Sequence, residues 1–180
     1  SGYLACGDSG AGKMPEPEVL LQYILREVAY EKDLAGKHLL VTAGPTREAI
    51  DPVRFISNHS TGRMGYAIAK MAMLRGADVT LVSGPMFVKT VAVESAQEMY
   101  EAVMAEADDA DIIIKSAAVA DYAPAEVSQE KIKKAQGDAV IPLVRTKDIL
   151  AALGEKKRED QFICGFAMET EHLLGNAKAK

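Results

Sequence analysis

Four short apolar runs, spaced by segments of helical periodicity, constrain this chain more than anything else in it. They are His38-Leu-Leu-Val-Thr-Ala-Gly44, Asp78-Val-Thr-Leu-Val-Ser83, Asp111-Ile-Ile-Ile-Lys-Ser-Ala-Ala118 and Phe162-Ile-Cys-Gly-Phe-Ala167. The third has the continuous apolar character of a strand covered on both faces. Between the first two lies a helix pattern from about Gly62 to Arg75, with Met64, Ala67, Ile68, Met71 and Ala72 as its expected buried stripe and Gly76 as its stop. Val88 to Val93 reads as another short strand. Ser95-Ala-Gln-Glu98 is a capping box opening a helix to about Ala107. A β-loop-α-β-β-α-β series predicts an α/β fold with a doubly wound, mostly parallel sheet and helices on both faces.

In such Rossmann-like sheets, ligands bind beyond the carboxyl ends of the strands, where strand order reverses. The loop after Gly44 and the segment Ser116 to Tyr122 fall at those ends. Elsewhere the pattern predicts a helix from Pro17 to about Glu31, with Val19, Leu20, Tyr23, Ile24 and Val28 on one face, followed by a linker over Asp33 to Lys37. Lys131-Ile-Lys-Lys134 and Ala139-Val-Ile-Pro-Leu-Val144 read as a β-hairpin flap turning at Gln136-Gly-Asp138. Thr146 is expected to cap a helix over 147–157, and Thr170 to begin a last helix. A length of 180 residues suits one sizeable α/β domain and is short for two. Both ends read as cut, so a fragment of a larger polypeptide is expected.

The chemistry concentrates in Asp51-Pro-Val-Arg-Phe-Ile-Ser-Asn-His-Ser-Thr-Gly-Arg-Met-Gly65. A strand, a polar loop and a helix amino-terminus together hold anions, because free backbone N–H groups and the positive end of the helix dipole point at the ligand. Gly44, Gly62 and Gly65 allow close backbone approach, and Arg47, Arg54 and Arg63 supply charge. Asn58 offers an amide donor and acceptor suited to a carbonyl or oxyanion; its alternative role is a helix cap, for which Ser60 and Thr61 are better placed. His59 has no second His or Cys at ligand spacing and reads as structural. Asp121 follows the small-residue strand end Ala117-Ala-Val-Ala120 and reads either as a ligand acceptor or as a turn aspartate. Lys131 and Lys133 share one face of a strand, either as a solvated edge or as a flap carrying ammonium groups onto phosphates. Neither G-x-G-x-x-G nor G-x-x-x-x-G-K-[ST] is present. The residues alone therefore give a nucleotide-like anionic ligand.

A net charge of −5 argues against non-specific nucleic-acid binding, which needs a basic face. No apolar run approaches a membrane span, and the first residues lack a basic-then-apolar signal pattern. Cys6 and Cys164 show no metal or disulfide spacing. A reduced, cytoplasmic setting without nucleic-acid or membrane partners is expected.

Taken together, Thr42-Ala-Gly-Pro-Thr-Arg-Glu48, the Asp51–Gly65 stretch, Ala117-Ala-Val-Ala-Asp-Tyr122 and Glu130-Lys-Ile-Lys-Lys134 closely resemble phosphopantothenoylcysteine synthetase, over about residues 37 to 180. In bacteria that family forms the carboxy-terminal half of a bifunctional coenzyme A biosynthesis protein. Residues 1–17 resemble the substrate-clamping tail of its phosphopantothenoylcysteine decarboxylase partner domain, with 18–36 as a linker helix. The resemblance implies a ligase that joins 4′-phosphopantothenate to L-cysteine using CTP, through an acyl-cytidylate, with Mg²⁺ bridging the triphosphate.

The resemblance also implies the site. Asn58 matches the asparagine that contacts the acyl-cytidylate carbonyl, and Lys131 the flap lysine that assists formation of that intermediate. Gly44, Ser60, Gly62, Ser116, Ala117 and Asp121 fall on nucleotide contacts; so does Lys115, where the family usually has a neutral residue. Lys147, Asp148, Ile149, Leu150, Phe166 and Lys180 fall on further CTP contacts, with Lys147 replacing a usual proline. Cys6 matches the decarboxylase proton donor, which acts only with an FMN-binding body these residues do not supply. A homodimer through the ligase domain, and a higher oligomer of the full-length protein, are implied. The rival readings are a nicotinamide-dependent oxidoreductase, which would need a dinucleotide glycine pattern, and a catalytically inactive nucleotide-binding module.

Overall fold

The computed structural model describes residues 2–3, 9–10, 14–83, 89–133 and 139–167. Two short strands, β1 (Gly2–Tyr3) and β2 (Ser9–Gly10), pair with each other and precede α1 (Pro17–Val28). The body then runs β3 (His38–Thr42), β4 (Arg47–Ala49), β5 (Phe55–Ser57), α2 (Arg63–Leu74), β6 (Asp78–Val82), β7 (Lys89–Val91) and α3 (Ala96–Glu106). It continues through β8 (Ile112–Lys115), β9 (Tyr122–Pro124), β10 (Leu143–Arg145), α4 (Ile149–Lys156) and β11 (Phe162–Gly165). Among the described residues, no helix is long and apolar enough to cross a membrane.

Five parallel strands form one sheet in the order β11-β8-β3-β6-β7. Starting from β3, the chain moves outward through β6 and β7, then returns to add β8 and β11 on the other side. The reversal between β3 and β8 is the topological switch point of a doubly wound sheet. Alternation along the strands feeds two cores. Leu39 and Val41 pack with Ala69, Ala72 and Met73 of α2 on one face. Leu40 and Ile113 pack with Met99, Val103, Ile149 and Leu153 of α3 and α4 on the other. Each fully buried Leu or Ile contributes about 1.5–3 kcal/mol.

The expected α2 was present, but its inward face is different. The buried residues are Gly65, Ala69, Ala72, Met73 and Leu74, while Met64 and Met71 are exposed. Gly65 sets this rotation. A Cβ there would lie 2.5 Å from Ala43 Cβ and 2.8 Å from the Thr42 carbonyl oxygen, so only glycine permits the approach. Apolar periodicity favoured the methionines, but the small residues face the sheet.

Three further expectations are corrected. Helix α1 stops at Val28 and buries none of its residues; it meets the body at Leu25, leaving Tyr23, Ile24 and Val28 exposed. The expected hairpin pairs differently: β10 runs antiparallel to β9, with Val144 opposite Ala123, and Lys131–Lys133 are not in a strand. Thr146 is not the cap of α4. Its hydroxyl donates to the Ala120 carbonyl at 2.7 Å, and Asp148 caps the helix by accepting from Ala151 N at 3.0 Å. The capping box of α3 is as expected, with Ser95 Oγ accepting from Glu98 N and Glu98 reaching back to Ser95 N. The helix expected from Thr170 lies outside the described residues.

Candidate active site

The loops after β3 and β8 meet at the switch point. Ala118 N donates to Gly44 O at 3.0 Å, and Pro45 and Ala118 form a parallel bridge. Buried threonines hold the backbone there. Thr42 Oγ1 accepts from both Ser116 N and Ala117 N at 3.0 Å, and Thr46 Oγ1 accepts from Ala120 N at 3.0 Å. These contacts fold the Ser116–Ala120 segment into a backbone-lined turn. The Ser116 hydroxyl is buried there without a hydrogen-bond partner.

Two cavities open at this edge. One, of about 320 Å³, lies on the β3–β6 side; its walls include Gly44, Pro45, Arg47, Ser60, Thr61 and Ser83. The other, of about 380 Å³, lies on the β8–β11 side. Lys115, Asp121, Lys147, Asp148, Ile149, Leu150 and Phe166 line it, together with Arg145 and Tyr122. Residues far apart in the chain therefore form one wall, and Gly44 and Ser60 belong to the neighbouring cavity. The Lys147 ammonium rests 4.6 Å from the centroid of the Tyr100 ring, a cation–π contact at the rim.

Asn58 lines neither cavity; its neighbour Ser60 lines the first and its hydrogen-bond partner Val119 the second. Its amide nitrogen donates to the carbonyl oxygens of Ala118 at 3.2 Å and Val119 at 3.1 Å. The side chain is exposed, so it borders solvent, but its donor is directed at backbone. Neither Ser60 nor Thr61 caps α2. The N-cap is Gly62, at φ 69°, and Ser60 Oγ accepts from Gly62 N at 3.3 Å. A Cβ on Gly62 would lie 3.0 Å from Gly44 N. His59 is exposed.

The Asp51–Gly65 stretch is not one open loop. It contains half of a hairpin in which β4 pairs with β5, Glu48 opposite Ile56. At its turn Asp51 is only 3% exposed. Its Oδ1 accepts from Val53 N and Arg54 N at 2.9 Å, and its Oδ2 accepts from the Arg54 guanidinium and from Ile132 N at 3.0 Å. The Arg54 guanidinium, reinforced by the backbone N–H groups of Ile132, Val53 and Arg54, outweighs burial and holds this carboxyl well below the usual carboxylate range. Arg54 also donates to Ile132 O at 2.9 Å. Lys131 and Lys133, either side of Ile132, are exposed, and Lys131 lines neither cavity. Cys6 and Lys180 lie outside the described residues.

Sequence reasoning missed Thr42, Thr46, Asp51 and Arg145 as parts of this site. A signal existed for the threonines, since Thr42 is a polar residue closing an apolar strand run and Thr46 stands in the loop just after it. Asp51 heads the stretch that the sequence singles out, and Val53 and Arg54 are within three positions, but its contact with Ile132, 81 positions away, had no signal.

Comparisons with known proteins give the family of the chain. Residues 34–180 match the family model for the DNA/pantothenate metabolism flavoprotein C-terminal domain. The chain is 48% identical over 188 residues to the coenzyme A biosynthesis bifunctional protein CoaBC of Bacillus subtilis strain 168, covering 99% of this chain and 46% of that protein. Identity is also 48% to the protein of the same name from Vibrio vulnificus strain YJ016, covering 100% of this chain and 47% of that one. The chain thus spans about half the length of the curated relatives it matches. A crystal structure of the C-terminal domain of a CoaBC protein superposes with a TM-score of 0.69 at 49% identity, covering 82% of this chain and 72% of that one. With the family match spanning most of its length and a doubly wound sheet in common with that domain, this chain belongs to the DNA/pantothenate metabolism flavoprotein C-terminal domain family.

Proposed function

We propose that this chain carries the ligase half of a bifunctional coenzyme A biosynthesis enzyme, joining 4′-phosphopantothenate to L-cysteine at the expense of CTP. Residues 37–180 form the ligase domain, 18–36 a linker helix, and 1–17 the tail of a decarboxylase domain. The observation that carries this reading is the β8–β11 cavity. It gathers Lys115, Asp121, Lys147, Asp148, Ile149, Leu150 and Phe166, all residues that the family resemblance assigns to the nucleotide.

The chemistry proposed is the one that the family resemblance implies. A carboxylate oxygen of 4′-phosphopantothenate attacks the α-phosphorus of CTP, the α–β bridging oxygen leaves with pyrophosphate, and an acyl-cytidylate remains. The cysteine amine then attacks the acyl carbon; CMP departs and the nitrogen loses a proton, leaving the amide. Asn58, beside the backbone turn at Ala118 and Val119, steadies the acyl oxygen as charge builds on it. To do so its amide must exchange a backbone carbonyl for the ligand. Lys131, exposed and outside the cavity wall, brings its positive charge to the nucleotide when substrates bind.

Mg²⁺, when bound, would supply charge neutralisation to the triphosphate. Among the described residues no three His, Cys, Asp or Glu side chains cluster as a cage. A phosphate-borne Mg²⁺ keeps several waters and needs only one or two carboxylates, and Asp121 and Asp148 in the cavity wall are candidates. FMN would serve only the decarboxylase domain, with Cys6 as its proton donor. A cytoplasmic homodimer belongs to the same proposal.

Pyrophosphate release tests the reading directly. It is expected with CTP and 4′-phosphopantothenate, with amide product appearing once cysteine is added. Equal release with every nucleoside triphosphate would remove CTP selectivity, and none with any would sink the ligase assignment.

A further inference from the structure

Asp51 carries the argument furthest, because a buried carboxylate at the tip of a short hairpin is costly unless its contacts are needed. Its Oδ1 completes its own turn, accepting from Val53 N and Arg54 N. Its Oδ2 takes Ile132 N at 3.0 Å, while the Arg54 guanidinium donates to Ile132 O at 2.9 Å. Asp51 and Arg54 therefore offer Ile132 an acceptor and a donor together, as a neighbouring β-strand would, with side chains in place of backbone. Ser128 N adds a donation to Ile50 O at 2.9 Å in the same turn. The segment so gripped carries Lys131 and Lys133 on either side of Ile132. The same hairpin leads, three residues of β5 later, to Asn58.

We propose that Asp51 is a positioning residue that fixes the Lys131 segment to the hairpin ending in Asn58, so that both side chains are carried on one frame. The inference rests on the roles given to Asn58 and Lys131 above. Asp51 itself touches no reactant: its oxygens are occupied by protein donors.

Asp51→Asn tests this with little change of shape. The amide keeps an acceptor for Val53 N and Arg54 N but turns a donor toward Ile132 N. Hydrogen exchange at the Ile132 amide should accelerate more than about tenfold while Leu40, Val82 and Ile113 in the core stay protected. Turnover should fall by up to about 100-fold, the scale of an ångström-sized misplacement. The double variant with Lys131→Ala should be no slower than Lys131→Ala alone. Unchanged exchange at Ile132, equal loss of protection in the core, or additive rate losses would each overturn the proposal. An unaltered rate in Lys131→Ala by itself would remove the functional reading, and the catalytic part of this inference with it, even where Ile132 is released.

Discussion

Two antiparallel pairs of three-residue strands lie outside the main sheet, and they are held in opposite ways. The β4–β5 hairpin is tied down by polar contacts along its whole length. Arg47 N donates to Glu94 O, Ser57 Oγ donates to Thr46 O, Asp51 grips Ile132, and buried Glu48 accepts from Ala96 N at 2.8 Å, the first residue of α3. The β9–β10 ribbon is closed at its two ends by Ala125 N to Pro142 O and by Thr146 to Ala120 O, and it meets the body where β9 lies against β4. Pro124 is buried, but the larger apolar side chains are half-exposed, with Tyr122, Leu143 and Val144 46%, 48% and 50% exposed. Side chain-to-backbone bonds that cross the chain specify a position; exposed apolar residues on a short ribbon do not.

The sharpest way to break this contrast is at the end of the anchored hairpin. Asn58→Ala should lower turnover by about 10²–10³ and accumulate acyl-cytidylate from CTP and 4′-phosphopantothenate. Mass spectrometry of quenched reactions would detect that intermediate, and product formation at the wild-type rate would strip Asn58 of its role. Next in size is Glu48→Ala, which leaves the Ala96 N–H buried without its acceptor. A loss of about 1–3 kcal/mol is expected, lowering Tm by roughly 2–4 °C per kcal/mol. No measurable change would mean that the hairpin's polar contacts are ornamental.

Acid should release the hairpin later than its composition implies. Asp51 is held low chiefly by Arg54, Asp33 by Arg75 and Asp111 by the His38 backbone N–H. A carboxyl whose folded pKa lies below its unfolded value of about 3.9 gives stability that is fully present above that value and is lost as pH falls toward the folded pKa. Thermal unfolding from pH 7 to 3 should therefore show a plateau and then a decline. Asp51→Asn should flatten that decline; an identical acid limb in the variant would remove Asp51 from the account. The smallest effect belongs to the ribbon. Val144→Thr, at a half-exposed site, should change stability by no more than about 0.5 kcal/mol. A larger loss in chemical denaturation would show the ribbon to be packed against something.

The frame of the molecule was readable because its determinants are local. Four apolar runs became β3, β6, β8 and β11, and Ser95 with Glu98 capped α3 as their three-residue spacing implies. The edge at which the cavities open was readable too, since a mostly parallel sheet has only one carboxyl side. What failed depended on partners remote in sequence. Thr146 turns from the helix start to Ala120, 26 positions back, so the cap passed to Asp148. The partner of β10 is β9 rather than the nearer lysine run, and periodicity cannot choose between two possible partners. Around Asn58 the motif located the residue, but not the carbonyls of Ala118 and Val119 that hold it.

Gly65 has one further consequence. The absence of a single carbon lets α2 sit against Ala43 and Thr42, and Gly44 and Ser60 frame a cavity at that same end of the helix. Its width is thus tuned from behind, by the thickness of a spacer that does not line it. Enlarging that spacer would lift the helix and open the cavity without altering any group that lines it, which makes the position a dial for redesign.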